Sequence, residues 1–349
     1  MSPLFTIGIP TYNRATWLKD AITSVLQQTY QDFELIIGDN ASTDNTPEVV
    51  KGFNDPRIRY YRWDRNLGPE ANISWTIEKA VGTYFVLLQD DDLLFPIFLS
   101  RVAKAFSSTE KAVLYGSSIF VTSNRNCLMN SIVHTPPVHF DLSNLLNNNQ
   151  IHINGRIIAT SFLLFTGLIF PAVAIKLKYL KQLIPFNSEN IYCGDRILLA
   201  EIACKGDVII DPMPLAIRFL HKGAAVNRYL SDFSKRYYLI RQATNKIINI
   251  MESYSIDWEE YLSQILKEAP LNQVRNWMEG IVVKYNYPKS IVRIFIDEIS
   301  RRTGCSPRVK KAKVKVKTTF SVLKYYLHVV LCSKLYLTRF IGLRRHHRP

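Results

Sequence analysis

Residues 85–92 read Phe-Val-Leu-Leu-Gln-Asp-Asp-Asp, an apolar run that ends in three consecutive carboxylates. Phe85–Leu88 shows no alternation of apolar and polar residues, as expected of a central strand covered on both faces. Asp90, Asp91 and Asp92 repel one another unless something cationic lies between them. Open α/β sheets place their ligand crevices at this end of a strand. A divalent ion bridging to an anionic substrate meets both conditions, because carboxylate oxygens are what Mg²⁺ or Mn²⁺ prefer. A solvated acidic turn is the plain alternative.

The residues before this run alternate strand and helix. Phe5–Ile9 is an apolar strand closed by Pro10, and Trp17, Leu18, Ala21, Ile22, Val25 and Leu26 recur at helical spacing. Phe33–Gly38 reads as a second strand, followed by a short helix from Thr46, a strand near Arg59–Trp63 and a helix over Glu70–Ala80. The alternation predicts an α/β fold with a mostly parallel twisted sheet and helices on both faces. Further on, Ala112–Tyr115, Phe162–Phe170 and Val208–Ile210 read as strands, and Ala172–Leu183 and Asp195–Cys204 as helices. Beyond Arg228 the pattern is helical, with an interruption at Thr303–Pro307. These patterns divide the chain into an α/β domain over 1–225, a C-terminal helical extension over 226–304 and a basic amphipathic tail over 305–349.

Charge is unevenly placed. The formal net charge is +15, but residues 301–349 hold 14 Lys/Arg and no Asp/Glu, leaving 30 basic and 29 acidic residues in 1–300. Overall basicity is therefore no sign of nucleic-acid binding, and none is expected. The five cysteines are scattered without a CxxC pair, which suggests reduced thiols in a cytoplasmic setting. The start, Met-Ser-Pro-Leu-Phe-Thr-Ile, runs directly into a strand without a signal-peptide pattern.

Four strand ends offer polar groups to one edge of the expected sheet: Pro10-Thr11-Tyr12-Asn13-Arg14, Asp39-Asn40, Asn66-Leu67-Gly68 and the aspartate run. The third precedes a helix whose N-terminus suits an anion. A carboxylate at the second strand's end is placed to bind ribose hydroxyls or a base N–H. Ile9–Arg14, Gly38–Asp44, Asn66–Gly68 and Gln89–Asp92 with Pro96, taken in order, resemble the family 2 glycosyltransferases of GT-A fold. The resemblance covers roughly residues 3–100.

That resemblance implies a nucleotide-diphospho-sugar donor, a saccharide or lipid-linked acceptor, Mg²⁺ or Mn²⁺, and an inverting single displacement. It puts Asp39 on the base or ribose and Thr11 and Tyr12 in the nucleotide pocket, with Pro10, Asn13, Arg14, Asn40, Asn66 and Gly68 around it. The family's D-x-D motif fits in two registers. Spacing from Pro96 makes Asp91 the principal metal ligand and leaves Asp90 on the ribose, whereas a literal reading frames Asp90 and Asp92. Asp195, after Gly194 in place of the family's usual Glu, corresponds to the base that accepts the acceptor's proton. An N-cap aspartate in a structural helix is the alternative. His221, in Arg218-Phe219-Leu220-His221, resembles a histidine that completes the metal shell or touches the diphosphate. A nucleotidyltransferase is disfavoured because the first loop is not glycine-rich. A non-catalytic nucleotide-sugar or membrane-binding protein is the other alternative.

The tail combines a cationic run, Arg308–Lys317, with an apolar stretch over Phe320–Leu343, whose longest uncharged segment is the nine residues Tyr325–Ser333. A spanning helix needs about 20. Residues 308–343 are therefore expected to lie on an anionic membrane surface, at the inner face of the cell membrane. A solvated tail with a core helix is the competing reading.

Overall fold

In the computed structural model, the run before the aspartates is the fourth strand of one ten-stranded sheet. The description covers residues 2–123, 132–134, 150–164, 168, 170–185, 194–221, 233–278 and 287–303, without the side chains of 132–134 and 233–237. Two compact units divide the chain, 1–256 and 257–349.

The first unit begins with strands β1 (Phe5–Thr11), β2 (Phe33–Asp39), β3 (Ile58–Arg62) and β4 (Tyr84–Leu87), joined by helices α1 (Ala15–Leu26), α2 (Thr46–Lys51) and α3 (Pro69–Lys79). They lie side by side in the order β3-β2-β1-β4, all parallel. Every residue of β2 is buried, as strands covered on both faces require. The register sets Thr11 beside Asp39 and Asp39 beside Arg62, so three polar strand ends share one edge. Helix α3 lies close on the sheet at Gly38, where a Cβ would come within 2.6 Å of Thr76 Oγ1 and 2.8 Å of Asn72 Oδ1.

After β4 come β5 (Leu93–Leu94), α4 (Phe98–Ser107), β6 (Ala112–Thr122), β7 (Ile132–His134), β8 (Ile151–Ile153) and α5 (Gly155–Ser161). β9 (Val173–Lys176), α6 (Leu177–Leu180), α7 (Gly194–Ala203), β10 (Asp207–Phe219) and α8 (Phe233–Ser253) complete the unit. The sheet continues β4-β9-β6-β10-β5, with β7 on β6 and β8 on β10. Only β6 and β10 are parallel in this half; the other pairings are antiparallel.

Four expected elements differ, one of them the strand expected at Ala112–Tyr115, which runs on to Thr122. Phe162–Leu164 is a 3₁₀ turn rather than the start of a strand. Its residues are all buried, and a continuous apolar run does not separate a buried helical turn from a buried strand. The strand instead lies in Val173–Lys176, within the span expected to be helical, and the helix starts only at Leu177. Val173, Ala174 and Ile175 fill the slot between β4 and β6, a tertiary demand that outweighs local propensity. The short strand expected at Val208–Ile210 runs on to Phe219. Pro212 and Pro214 look like stops, but register shifts between Asp211 and Pro214 and between Pro214 and Ala216 carry the strand past them.

Those shifts rest on a buried polar network. The fully buried Asp211 carboxylate accepts hydrogen bonds from Arg101 Nε (2.6 Å) and Nη2 (3.0 Å). It also accepts from the Tyr115 hydroxyl (2.8 Å), Gln150 Nε2 (3.1 Å) and Met213 N (3.0 Å).

The second unit contains α9 (Trp258–Glu268), α10 (Leu271–Trp277) and α11 (Lys289–Thr303). Asp257 caps α9 by accepting from Glu260 N at 3.1 Å. Arg302 of α11 donates to the carbonyls of Leu266, Lys267 and Ala269 at the other end of α9, satisfying groups a helix end leaves open. Among the described residues no helix is long and apolar enough to cross a membrane. Residues 304–349, and so the expected tail from 308, lie outside the described residues.

Candidate active site

The loops after β1 and β2 are sewn together by side chains. Asn13 adopts φ 55° and Ala41 φ 61°, the left-handed region that asparagine tolerates better than most residues. Asn13 N donates to Ser42 Oγ (2.9 Å), and Thr43 N donates to Asn13 Oδ1 (2.7 Å). Asp44 accepts from Ala15 N at the start of α1 and from Thr46 N and Oγ1 at the start of α2. Burial opposes ionisation there, but these donors hold its carboxyl below the ordinary aspartate value.

Asp39 is fully buried. Ser42 N donates to its Oδ1 at 2.8 Å, the Tyr60 hydroxyl donates to Oδ2 at 2.6 Å, and Arg62 Nε lies 3.5 Å from Oδ2. Burial and the Asp39 charge push the Tyr60 hydroxyl's pKa well up. The residue expected at the base or ribose is thus embedded in protein contacts. Any ligand must use the lone pairs these donors leave.

Asn40, Asn66 and Gly68 likewise bind one another. Asn40 Nδ2 donates to Asn66 Oδ1 (2.9 Å) and to the Gly68 carbonyl (3.0 Å), and Leu67 N donates to Asn40 Oδ1 (2.9 Å). Gly68, at φ 89°, turns the chain into Pro69 and α3, a backbone conformation that glycine adopts without a Cβ clash. Asn72, absent from the sequence-based set, pins this knot to the sheet. Its Nδ2 donates to the Gly38 carbonyl (2.7 Å), and its Oδ1 accepts from Trp63 Nε1 (3.2 Å). A buried asparagine inside a helix, four residues past a glycine–proline start, was the available signal. Pro10 does not close β1, which runs on through it to Thr11; it pairs with Gly38, and Tyr12 is exposed.

The three aspartates occupy three environments. Asp90 accepts from Thr11 Oγ1 at 2.7 Å and from the Tyr12 backbone N–H. Burial, with the Asp91 charge adjoining, nevertheless pushes its pKa up to about 7. Asp92 is 2% exposed and accepts from Phe219 N at 3.0 Å. Burial and Asp91 raise its pKa well above the ordinary value. Asp91 meets His221 and Arg14. His221 Nε2 lies 2.8 Å from Asp91 Oδ2, Arg14 Nη1 lies 4.0 Å from the same oxygen, and Arg14 Nη1 is 3.4 Å from His221 Nε2. The indole of Trp17 stacks on the imidazole, with ring centroids 4.6 Å apart and planes 23° from parallel. The structure therefore joins Arg14, Asp91 and His221, separated by up to 207 positions in the chain. It adds Trp17, which by spacing alone belongs to the α1 helical stripe.

The donor set suits a divalent ion. A carboxylate oxygen and an imidazole nitrogen 2.8 Å apart are close to the roughly 3 Å that separates neighbouring donors on an octahedral ion with bonds of about 2.1 Å. Imidazole favours transition metals, and carboxylate favours Mg²⁺ and Mn²⁺, so the pair leans toward Mn²⁺. Among the described residues no cluster of three or more His, Cys, Asp or Glu forms a closed site.

Asp195 stands apart from this cluster. It is exposed, second in α7, and accepts from Arg196 N at 2.8 Å. Among the described residues, no hydrogen bond or ion pair links it to Asp91 or His221.

This sheet, with polar groups gathered on its carboxyl edge, defines a GT-A-type α/β protein. Residues 6–165 match the family described as Glycosyl transferase family 2. An uncharacterized glycosyltransferase of Haemophilus influenzae is 30% identical over 153 residues, which are 43% of this chain and 60% of that protein. The GalNAc(5)-diNAcBac-PP-undecaprenol beta-1,3-glucosyltransferase of Campylobacter jejuni is 35% identical over 103 residues, 29% of this chain and 33% of the relative. The chain thus spans less than two thirds of either relative's length. Among solved structures, S. aureus TarS 1-349 in complex with UDP-GlcNAc has a TM-score of 0.52 at 15% identity, covering 86% of this chain and 92% of that one. At that identity the likeness concerns the fold.

Proposed function

We propose that the protein is an inverting glycosyltransferase that moves a sugar from a nucleotide-diphosphate donor to a saccharide or lipid-linked acceptor in surface polysaccharide or glycolipid assembly. The observation that carries this reading is the Asp91–His221–Arg14 cluster, set on the sheet edge beside Thr11 and Asp39. The shared fold with a protein solved with UDP-GlcNAc supports the donor class. The name of the C. jejuni relative, a transferase onto an undecaprenol-linked saccharide, supports the acceptor class.

In this reading the loops of Thr11–Arg14 and Asp39–Asn40 receive the nucleotide. Arg14 meets the diphosphate as a fixed positive charge. Asp91 and His221 hold Mn²⁺ or Mg²⁺, which when bound supplies Lewis-acid neutralisation of the departing diphosphate. Asp195 takes the proton of the acceptor hydroxyl as its oxygen attacks the anomeric carbon. The bond from that carbon to the diphosphate oxygen breaks with its electron pair, inverting the configuration. In this role Asp195 acts through its position beside the acceptor hydroxyl.

Thermal shift with UDP, GDP, TDP and CDP, each with Mn²⁺, Mg²⁺ or EDTA, tests the donor site. One nucleotide should stabilise the protein only with metal, by about 2.7 kcal/mol at a hundredfold excess over Kd, and Asp91→Asn should abolish the shift. No shift with any nucleotide refutes the reading. Asp195→Asn should keep the shift and lose transfer; if transfer survives in that variant, the base lies elsewhere.

A further inference from the structure

We propose that Trp17 is a positioning residue of this site, setting the plane of the His221 imidazole and so the approach of Nε2 to Asp91. The inference rests on the donor-site reading above. Trp17 sits in the first turn of α1, where its backbone N–H donates to the Arg14 carbonyl at 2.9 Å. Asp44 fixes the start of the same helix through Ala15 N. The buried stripe of α1 is Leu18, Ala21, Ile22, Ser24 and Val25. Trp17 lies outside it, half-buried, and its indole faces rings at the end of β10. It stacks on His221 and meets Phe219 at 6.2 Å and 52°.

The need for such a support follows from where His221 is attached. The backbone of β10 is held at Phe219 by Asp92 and at Leu220 by a 2.8 Å hydrogen bond from Leu220 N to the Thr122 carbonyl. His221 is the next residue, and its ring can turn about two side-chain bonds. A flat surface 4.6 Å away restricts the ring to one plane. In that plane, Asp91 and Arg14 determine which edge carries Nε2 toward the carboxylate. Groups that orient a metal-binding imidazole from behind commonly change metal affinity 10- to 100-fold.

The test measures Mn²⁺ affinity by electron paramagnetic resonance, with whichever of UDP, GDP, TDP or CDP binds the wild-type protein at saturation. Trp17→Leu fills much of the space without a flat face and should weaken Mn²⁺ binding about tenfold. Trp17→Phe keeps a face and should lose less than about threefold. In a His221→Ala background, Trp17→Leu should add less than about twofold, because a residue acting through the imidazole has nothing left to orient. Trp17→Met substitutes for the leucine variant if that protein does not unfold cooperatively in urea. Equal losses in the Leu and Phe variants, no loss in either, or an undiminished loss without His221 would each overturn the proposal. A wild-type protein that binds no Mn²⁺ with any nucleotide overturns the donor-site reading and this inference together. Mn²⁺ binding that is indifferent to Trp17 overturns this inference alone.

Discussion

Adjacent like charges are tolerable when their surroundings differ, and Asp90, Asp91 and Asp92 show how. Asp92 serves the backbone of β10, Asp90 serves the loop after β1, and Asp91 faces the histidine and arginine. Because burial already favours the neutral form of Asp92, Asp92→Asn should unfold in urea within about 1 kcal/mol of wild type, having kept an acceptor for Phe219 N. Asp92→Leu removes that acceptor and should cost about 1–3 kcal/mol, the penalty for a buried donor left unmade. The run's position at a strand end was readable from its apolar lead-in. The allotment of roles within it was not, because it depends on Phe219 and His221, whose nearness follows from a strand that sequence patterns cut short. Asn40 and Asn66 show the same limit. Their residue type signals polar work at the sheet edge, but their mutual hydrogen bonding appears only when the two loops meet.

Among the elements, β10 has the most effect on the site, since its bulged course past Pro212 and Pro214 delivers both Phe219 and His221. Asp211 supports that course, and Asp211→Leu leaves the largely buried Arg101 guanidinium and the Tyr115 hydroxyl without this acceptor. Breaking a buried ion pair in this way costs about 3–5 kcal/mol, and denaturant unfolding should show a loss of that order. Strands β1, β2 and β4 were legible because both their faces are covered and most of their residues are apolar. β9 was not, because it runs straight into the helix that starts at Leu177, and β10 was legible only over Val208–Ile210, because two prolines stand in mid-strand. In the helical unit, Arg301 and then Arg302 hold the Glu298 carboxyl below the ordinary glutamate value. A depressed native pKa means that the unfolded chain takes up a proton first as the solution is acidified. The contribution is therefore complete above the ordinary carboxylate range and lost as pH falls through it. Protection factors of the amides in α9 and α11, exchange rates corrected for the intrinsic effect of pH, should fall between about pH 5 and 3, and Glu298→Gln should flatten that dependence.

For the whole molecule, charge is the property sequence describes best, since +15 resides in effect beyond residue 300. We expect deletion of Arg308–Pro349 to move the protein from the pellet to the supernatant when it is spun with anionic vesicles, each basic residue near the surface contributing about 1 kcal/mol. Retained sedimentation would remove the tail as anchor. The pairing of Asp91 with His221, 130 positions apart, also has a consequence during synthesis. A ribosome adding about 5–20 residues per second needs roughly 7–26 seconds to travel from the aspartates to the histidine. Throughout that interval the nascent chain carries the strand-end carboxylates without the strand that closes over them. The Asp91–His221 pair, and with it any metal-dependent hold on the proposed donor, is complete only after β10 has joined the sheet.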